Sequence, residues 1–372
     1  MHWRLAACMG IGWLAALGCG AEPAPESPPA PESASEWDGL VFLRDAESGR
    51  PDLWAARVST GETMRLHETP GEIEDAPRWV PSVLRIVYQV RSVARPDRSR
   101  LRLLEPRTGA RLAAAERGAE KEGRPVVSRD GKLIAFSFVD PPGQVPPRGV
   151  RLLRPMTGRQ DDLPAVPGAS AYPNLDVSPD ATAVVVQTYT EGRPDDLWML
   201  LGSGRKGLSV SRQWRDVGPR FSHDGARVVF TRAARETEAQ TRVRVAAGRP
   251  PKLGGGDICQ VPLAGGRATC PVQSGDAREF GVAPSPTAPE MVYLRDRDGQ
   301  VDVYLSGLAG QDERRLTDTP ERERSLAWSP DGRWIALVAG PPEERRVQVL
   351  DPDGKILFET PGFSPAWTPP LL

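Results

Sequence analysis

The stretch that decides the fold is Leu326-Ala-Trp-Ser-Pro-Asp-Gly-Arg-Trp-Ile-Ala-Leu-Val338. It begins with a short apolar strand that meets a Ser-Pro-Asp-Gly turn, in which aspartate caps the backbone and glycine accepts a positive φ. The β-branched and apolar run that follows is typical of a returning strand. The stretch therefore predicts an antiparallel hairpin closed by a tight Asp-Gly turn.

This hairpin unit recurs along the chain. The residues that align with the turn serine lie 48, 50, 44, 63, 44 and 39 residues apart, and they are Val80, Ser128, Ser178, Ser222, Ser285, Ser329 and Thr368. The copies at Val80 and Ser285 are degenerate, and the last copy has only its first strand. A period of about 45 residues indicates an array of similar structural units.

Each unit also predicts a third and a fourth strand. The third has an Asp-apolar-aromatic pattern, as in Asp52-Leu-Trp54 and Asp302-Val-Tyr304, and the fourth resembles Arg315-Leu-Thr317. Four antiparallel strands in about 45 residues are typical of a propeller blade. The predicted fold class is therefore all-β, a β-propeller of four-stranded antiparallel blades.

The two ends of the repeat region complement each other. The region begins with the second to fourth strands of a blade near Leu40 and finishes with a lone first strand near Trp367. Sharing one blade between the termini closes the ring and removes an exposed sheet edge. We predict seven blades, with six as the alternative if the unit near Ser285 or Val80 is incomplete.

The recurring Ser-Pro-Asp-Gly turn with its Ile-Ala-Phe-like strand resembles the TolB-type, WD40-like β-propeller repeat. The resemblance covers residues 37–372, which we assign to a TolB-like propeller domain. TolB proteins themselves carry a separate α/β domain before the propeller, and the residues between Cys19 and Trp37 are too few to encode one.

The N-terminus predicts export. Residues 1–18 combine a charged start with a short apolar run, as in a secretory signal peptide. Ala15-Ala16-Leu17-Gly18-Cys19 resembles a bacterial lipobox, although Ala16 and Leu17 stand in the opposite order from the family preference. The resemblance implies a lipoprotein acylated on Cys19, and the alternatives are ordinary signal-peptidase cleavage or an uncleaved anchor.

Residues 19–36 are rich in proline and glutamate and carry no large apolar side chain. Such a segment cannot build a core and is typical of a semi-rigid tether. Gly20 stands where an inner-membrane retention signal would carry aspartate. We therefore expect an outer-membrane lipoprotein that faces the periplasm or the cell surface, with the N-terminal lipid as its membrane attachment.

Two cysteines remain for disulfide chemistry, Cys259 and Cys270. A hairpin with Ala264-Gly265 as a two-residue turn would place them opposite one another and allow a cross-strand disulfide. A three-residue turn would make them diagonal, so a pair of free thiols is the alternative.

Chemical motifs are scarce. The sequence has no Gly-x-Ser-x-Gly elbow, Gly-rich phosphate loop or His-Glu-x-x-His helix. His67 and His223 occupy repeat positions, and TolB-like pectic-oligosaccharide lyases depend on a His-rich metal site. We predict no catalytic, cofactor-binding or metal-binding residue, and a net charge of −1 argues against nucleic-acid binding.

The repeated carboxylates are residue types that suit acid/base catalysis or calcium binding. Because each lies in the same turn of a different blade, a structural capping role is the stronger interpretation. These repeat-turn residues are Asp130, Asp180, Asp224 and Asp331. The tryptophans at repeated positions, such as Trp328 and Trp367, are likewise expected to pack between blades.

The longest insertion, Arg232 to Gly256, is the candidate partner loop. Its arginines are Arg232, Arg235, Arg242, Arg244 and Arg249. We expect it on the same face as the acidic fourth-to-first strand connections, which include Glu74, Glu122 and Glu323. This face either binds an envelope protein or carries only a solvated loop. The predicted function is a lipid-anchored, non-enzymatic protein-binding or scaffolding module, and the alternatives are a periplasmic enzyme acting on glycans or peptides and a small-ligand sensor.

Overall fold

The computed structural model describes residues 37–46, 49–68, 71–114, 119–141, 148–209, 214–234, 256–275 and 277–371. All of them belong to the compact unit Ser35–Leu372. The signal peptide, the tether and Cys19 lie outside the described residues.

The described residues form short β-strands and one 3-10 turn at Pro81–Val83. The strands of the first half are β1 (Gly39–Asp45), β2 (Pro51–Arg57), β3 (Thr63–His67), β4 (Glu72–Val80), β5 (Arg85–Ser92), β6 (Ser99–Leu104), β7 (Arg111–Ala113), β8 (Lys121–Glu122), β9 (Val126–Val127), β10 (Ile134–Val139), β11 (Arg148–Leu153), β12 (Gln160–Asp162), β13 (Leu175–Val177), β14 (Ala183–Thr188), β15 (Asp196–Leu201) and β16 (Gly204–Ser209). Those of the second half are β17 (Trp214–Phe221), β18 (Arg227–Ala234), β19 (Asp257–Pro262), β20 (Thr269–Val272), β21 (Arg278–Pro284), β22 (Glu290–Arg297), β23 (Gln300–Gly307), β24 (Arg314–Arg315), β25 (Arg324–Trp328), β26 (Ile335–Ala339), β27 (Arg346–Leu350), β28 (Ile356–Pro361) and β29 (Phe363–Thr368).

The strands form seven antiparallel blades. Blade 1 has the order β29-β1-β2-β3, and blades 4 to 7 are consecutive four-stranded meanders from β13 to β28. Blades 2 and 3 share one nine-stranded sheet, because a bridge between Ser99 and Lys121 joins β6 to β8. The first strand of blade 3 is split into β8 and β9. The prediction of a propeller is confirmed, and the degenerate units at Val80 and Ser285 are complete blades.

The termini close the ring as the repeat pattern predicts. β29 pairs with β1, so Gly39 lies opposite Thr368 and Leu40 opposite Trp367. The innermost strands contact one another in the order β4, β9, β13, β17, β21, β25 and β29, and β29 contacts β4 again. These seven inner strands surround a central channel.

The apolar core is divided among the blade interfaces. Seven clusters of buried apolar side chains each join two neighbouring blades. In β1, Leu40 and Phe42 pack against blade 7, whereas Val41 and Leu43 pack against blade 2. Because successive side chains of a strand point to opposite faces, a strand between two blades must be apolar on both. This explains the continuous apolar runs of the second strands.

Candidate functional site

The four repeat-turn aspartates hold their own turns together. In each turn the serine hydroxyl donates to the aspartate Oδ1 over 2.6–2.7 Å. The backbone N–H two residues after the aspartate donates to the same oxygen over 3.0–3.2 Å. The serine donors hold the pKa of Asp180 and Asp224 below the usual value. Each aspartate thus lies in a separate blade and is occupied by its own turn.

One repeat turn contains a strained residue. Ala181 has a φ of 57°, whereas Gly131, Gly225 and Gly332 take the same left-handed conformation in the other turns. An L side chain costs about 1 kcal/mol there. We expect Ala181→Gly to raise the free energy of unfolding by about 0.5–1 kcal/mol in urea titrations. The matched change Gly225→Ala should lower it, and a destabilised Ala181→Gly protein would contradict this explanation.

The hairpin of β19 and β20 brings the two cysteines together. The Sγ atoms of Cys259 and Cys270 are bonded, and Cys259 is fully buried. The expected two-residue turn at Ala264-Gly265 is wrong, because Leu263–Ala268 forms a longer connection with its turn hydrogen bond from Gly265 N–H to the Pro262 carbonyl. The register beyond it, with Gln260 opposite Thr269, still places the cysteines across from each other.

The disulfide leads to two measurable expectations. Reduction should raise the intact mass by two hydrogens, and an unchanged mass would contradict the bridge. Closing so short a loop stabilises a protein by about 2–3 kcal/mol. The double variant Cys259→Ser, Cys270→Ser should therefore unfold at a lower urea concentration than the oxidised chain, and its unfolding should be insensitive to reductant.

The candidate partner loop begins later than the sequence suggests. Arg232 belongs to β18, which continues to Ala234. Its guanidinium donates to both oxygens of Asp216 at 2.8 Å and to Ser209 Oγ at 2.9 Å. This ion pair fastens β18 to the first strand of its own blade. Arg235, Arg242, Arg244 and Arg249 lie outside the described residues.

Three acids that the sequence places in exposed fourth-to-first connections are buried, and two of them, Glu74 and Glu122, lie in the first strands β4 and β8. In five blades, the residue six positions before the turn serine is a carboxylate that is at most 2% exposed. These carboxylates are Glu74, Glu122, Asp216, Glu279 and Glu323. Their partners lie inside the protein: Arg295 Nε donates to Glu279 over 2.8 Å, and the Leu101 N–H donates to Glu122 over 2.6 Å. These carboxylates connect strands and do not form an acidic docking surface.

The central channel is the strongest candidate for a functional site. It is a cavity of about 550 Å³ lined by residues of all seven inner strands. Trp37, Trp79, Trp328 and Trp367 contribute to its wall. A volume of this size lies within the range of small-molecule sites.

The polar and apolar sides of the channel are separate. In every blade, the residue two positions before the turn serine lines the channel. We call these the channel residues, and they are Arg78, Val126, Asp176, Arg220, Ala283, Ala327 and Ala366. The charged members belong to blades 2, 4 and 5, whereas the alanines belong to the consecutive blades 6, 7 and 1. At this position the channel therefore has a charged wall facing an alanine wall.

The charged wall carries an excess of cations. Burial, followed by repulsion from Arg220 and Arg124, lowers the pKa of Arg78 to about 10. Burial also raises the pKa of Asp176, although Arg220 and the Phe221 N–H act in the opposite direction. The Phe221 N–H donates to Asp176 Oδ2 over 2.9 Å. Asp176 thus neutralises only part of the positive field around it.

Arginines also mark the two ends of the channel. Arg129 lies in the turn between the first and second strands of blade 3. Its guanidinium donates to the Pro286 carbonyl of blade 6 over 2.7 Å, so the side chain crosses the channel mouth. Arg124 lies nearer the opposite face and pairs with Asp75 over 2.9 Å. Arg124 also lines a second cavity of about 460 Å³ between blades 2, 3 and 4.

The channel residues are absent from the sequence-based site prediction. Arg78, Asp176 and Arg220 show no motif, and each is an isolated charged residue beside an apolar one. Their shared distance from the turn serine is the feature that would identify them. At that position the seven units carry three charged residues, three alanines and one valine.

Solved structures resemble this chain over most of its length. TolB from Acinetobacter baumannii is 13% identical, with a TM-score of 0.52 over 90% of this chain and 83% of that one. The fold is a TolB-like β-propeller. An oligogalacturonate lyase in complex with manganese is also 13% identical, with a TM-score of 0.58 over 87% and 84% of the two chains.

The propeller also resembles part of larger enzymes. A prolyl endopeptidase is 12% identical, with a TM-score of 0.62 over 87% of this chain. The propeller corresponds to 48% of that enzyme, about half of its length. At these identities the likenesses establish the fold alone. The sequence matches no family model.

The described residues contain neither a membrane-spanning helix nor a clustered metal site. No helix there is long and apolar enough to span a bilayer. In the same portion of the chain, no group of three or more histidine, cysteine, aspartate or glutamate side chains is arranged to hold a metal ion.

Proposed function

We propose that this chain is a non-enzymatic binding module of the bacterial cell envelope. In this proposal a lipid on Cys19 holds the protein at the outer membrane, facing the periplasm or the cell surface. Residues 19–36 act as the tether, and the propeller binds its ligand or partner. The lipobox-like sequence and the proline-rich segment support the location.

The observation that carries the binding role is the composition of the channel wall. Arginine and tryptophan side chains there can hold a ligand through charge, hydrogen bonds and apolar contact. The repeat-turn aspartates are spread around the ring and engaged by their turns, so they supply no convergent acid/base pair. A rigid ring with a specialised surface is the usual design of a binding scaffold.

The anchor has a direct test. Full-length protein expressed in bacteria should incorporate palmitate, and Cys19→Ala should abolish the label. Cys8→Ala is the matched control, because Cys8 lies within the signal peptide and its loss should leave the label intact. An unlabelled wild-type protein would contradict the anchor.

The partner loop has a separate test. Proximity cross-linking in intact cells should give a partner whose yield falls when residues 235–254 are deleted. Replacing the same residues with a Gly-Ser segment of equal length controls for spacing. Equal cross-linking by all three proteins would exclude a role for the insertion.

A small-ligand sensor is the second candidate, and the enclosed volume of the channel favours it. Binding without turnover distinguishes both candidates from an enzyme. Chemical conversion of peptides or glycans by the purified chain, lost when the channel residues are changed, would replace the binding proposal with an enzymatic one.

A further inference from the structure

We propose that the central channel binds a carboxylate attached to an apolar group, with Arg78 and Arg220 holding the carboxylate and the alanine wall receiving the apolar group. The inference deepens the proposed binding role and is independent of the lipid anchor. Either the C-terminus of a peptide or a small free acid could supply this chemistry.

The two arginines have hydrogen-bonding capacity left for a ligand. Arg78 Nη1 donates to the Pro77 carbonyl over 2.7 Å, and Arg220 Nη1 donates to the Pro219 carbonyl over 3.2 Å and weakly to Leu175. Within the described residues neither forms an ion pair with a carboxylate. A guanidinium has five N–H donors in a planar fork that matches a carboxylate. Most of these donors therefore remain available in the channel.

The charge balance favours an anion. Arg78 lies close enough to Arg220 and Arg124 to be repelled by both, and it is attracted by Asp75 and Asp176. Asp176 attracts Arg78 and Arg220, but one of its oxygens already accepts the Phe221 N–H. Asp75 is already paired with Arg124. Asp176 alone is left to balance Arg78 and Arg220, so one positive charge remains uncompensated. An added carboxylate would relieve the repulsion, and partial burial would strengthen its attraction.

The opposite wall selects the rest of the ligand. Ala283, Ala327 and Ala366 leave room beside the indoles of Trp328 and Trp367. Each indole N–H already donates to the carbonyl of an alanine in the preceding blade, over 3.0 Å. These tryptophans are 9% and 6% exposed, so only a small part of each ring reaches the channel beside the alanine methyl groups. Ser325 and Ser364 also line this side, but the repeat position itself carries only alanine methyl groups, which leave the hydroxyl groups of a sugar few partners.

The route into the channel follows from Arg129. Because its side chain spans the mouth between blades 3 and 6, it obstructs the face that carries the first-to-second strand turns. We infer entry from the opposite face, near which Arg124 lines both the channel and the cavity between blades 2, 3 and 4. A ligand entering there with its carboxylate leading would reach Arg78 and Arg220.

The experiment is a fluorescence titration of the full-length protein, because four tryptophans line the channel. The probes are 3-phenylpropionate and acetyl-Ala-Phe with a free C-terminus, compared with their neutral amides. Galacturonate serves as the polar carboxylate. We expect at least one free acid to bind with a dissociation constant below about 1 mM, and its amide and galacturonate to bind about ten-fold or more weakly. The probe that binds more tightly distinguishes a small acid from a peptide terminus.

Substitutions give expected effects of opposite sign. Arg78→Gln and Arg220→Gln should each weaken acid binding about ten-fold or more. Asp176→Asn keeps an acceptor for the Phe221 N–H but removes the competing charge, so it should tighten binding several-fold. Arg107→Gln, an exposed arginine in a distant turn, is the matched control and should bind as wild type does. Thermal unfolding midpoints near wild type identify variants that remain folded.

Several results would overturn the proposal. These are equal affinity for acid and amide, equal affinity for galacturonate, unchanged affinity in a folded Arg78→Gln or Arg220→Gln protein, and no binding of either acid at about 10 mM. Conversion of a probe by the protein would instead refute the non-enzymatic role while leaving the carboxylate site in place. Loss of palmitate labelling would refute the anchor alone.

Discussion

Trp367→Ala should lower the free energy of unfolding by about 3–5 kcal/mol, the range for a large aromatic side chain removed from a core. Trp367 is 6% exposed and lies in β29, the strand that completes blade 1. Its ring lies 5.8 Å from that of Trp334 in blade 7, and its Nε1 donates to the Ala327 carbonyl over 3.0 Å. The cavity would therefore form at the interface that closes the ring.

Two further variants, compared in denaturant titrations, separate the effect of lost packing from that of the lost N–H donor on the free energy of unfolding. Trp367→Phe retains most of the packing but removes the N–H donor, so it should cost about 1–2 kcal/mol. Trp214→Ala changes a tryptophan that is 41% exposed and should cost about 1 kcal/mol or less. A Trp367→Ala protein as stable as Trp214→Ala would show that the terminal strand contributes little to ring closure.

Glu323→Gln should stabilise the protein at neutral and alkaline pH by an amount on the order of 3 kcal/mol. Burial raises the pKa of Glu323 from 4.5 to about 7. Its Oε1 accepts a hydrogen bond from Thr319 over 2.8 Å, whereas its Oε2 is buried without a partner. Ionisation of this carboxyl is therefore costly in the folded protein.

The sign of the pH dependence follows from proton binding. Between pH 4.5 and about 7 the folded protein retains the Glu323 proton that the unfolded chain has lost. The free energy of unfolding therefore falls as pH rises through this window. Above about pH 7, the contribution of Glu323 no longer changes with pH. Urea titrations at several pH values should show that Glu323→Gln removes this decrease, whereas the exposed control Glu343→Gln retains it. Parallel pH profiles for wild type and Glu323→Gln would contradict the assignment.

The repeat pattern predicts the fold because the same physical requirement recurs in every blade. Asp130, Asp180, Asp224 and Asp331 cap equivalent turns, and the apolar residues of the second strands, such as those of β1, pack against blades on both sides. These requirements are local and can be recognised in sequence. The pairing of β1 with β29 follows from counting strands, since each terminus supplies the part of a blade that the other lacks.

The site is harder to predict because it lies where the repeats differ. Arg78, Asp176 and Arg220 share one position with Ala283, Ala327 and Ala366, so a comparison that looks for common residues overlooks them. The buried acids present the reverse problem. Glu122 and Glu323 stand in polar stretches of sequence that resemble solvent-exposed connections, but the folded chain buries both side chains.

We propose that this chain is an anchored, ligand-binding propeller. Native mass spectrometry of the protein extracted from bacterial envelopes in mild detergent examines the anchor and the ligand in one measurement. We predict a lipid-bearing polypeptide that begins at Cys19 and whose mass is two hydrogens below that of the reduced chain. It should retain a small acidic ligand, which is lost in Arg78→Gln but retained in Arg107→Gln. An unlipidated chain without bound ligand, or a ligand retained equally by both variants, would refute this proposal.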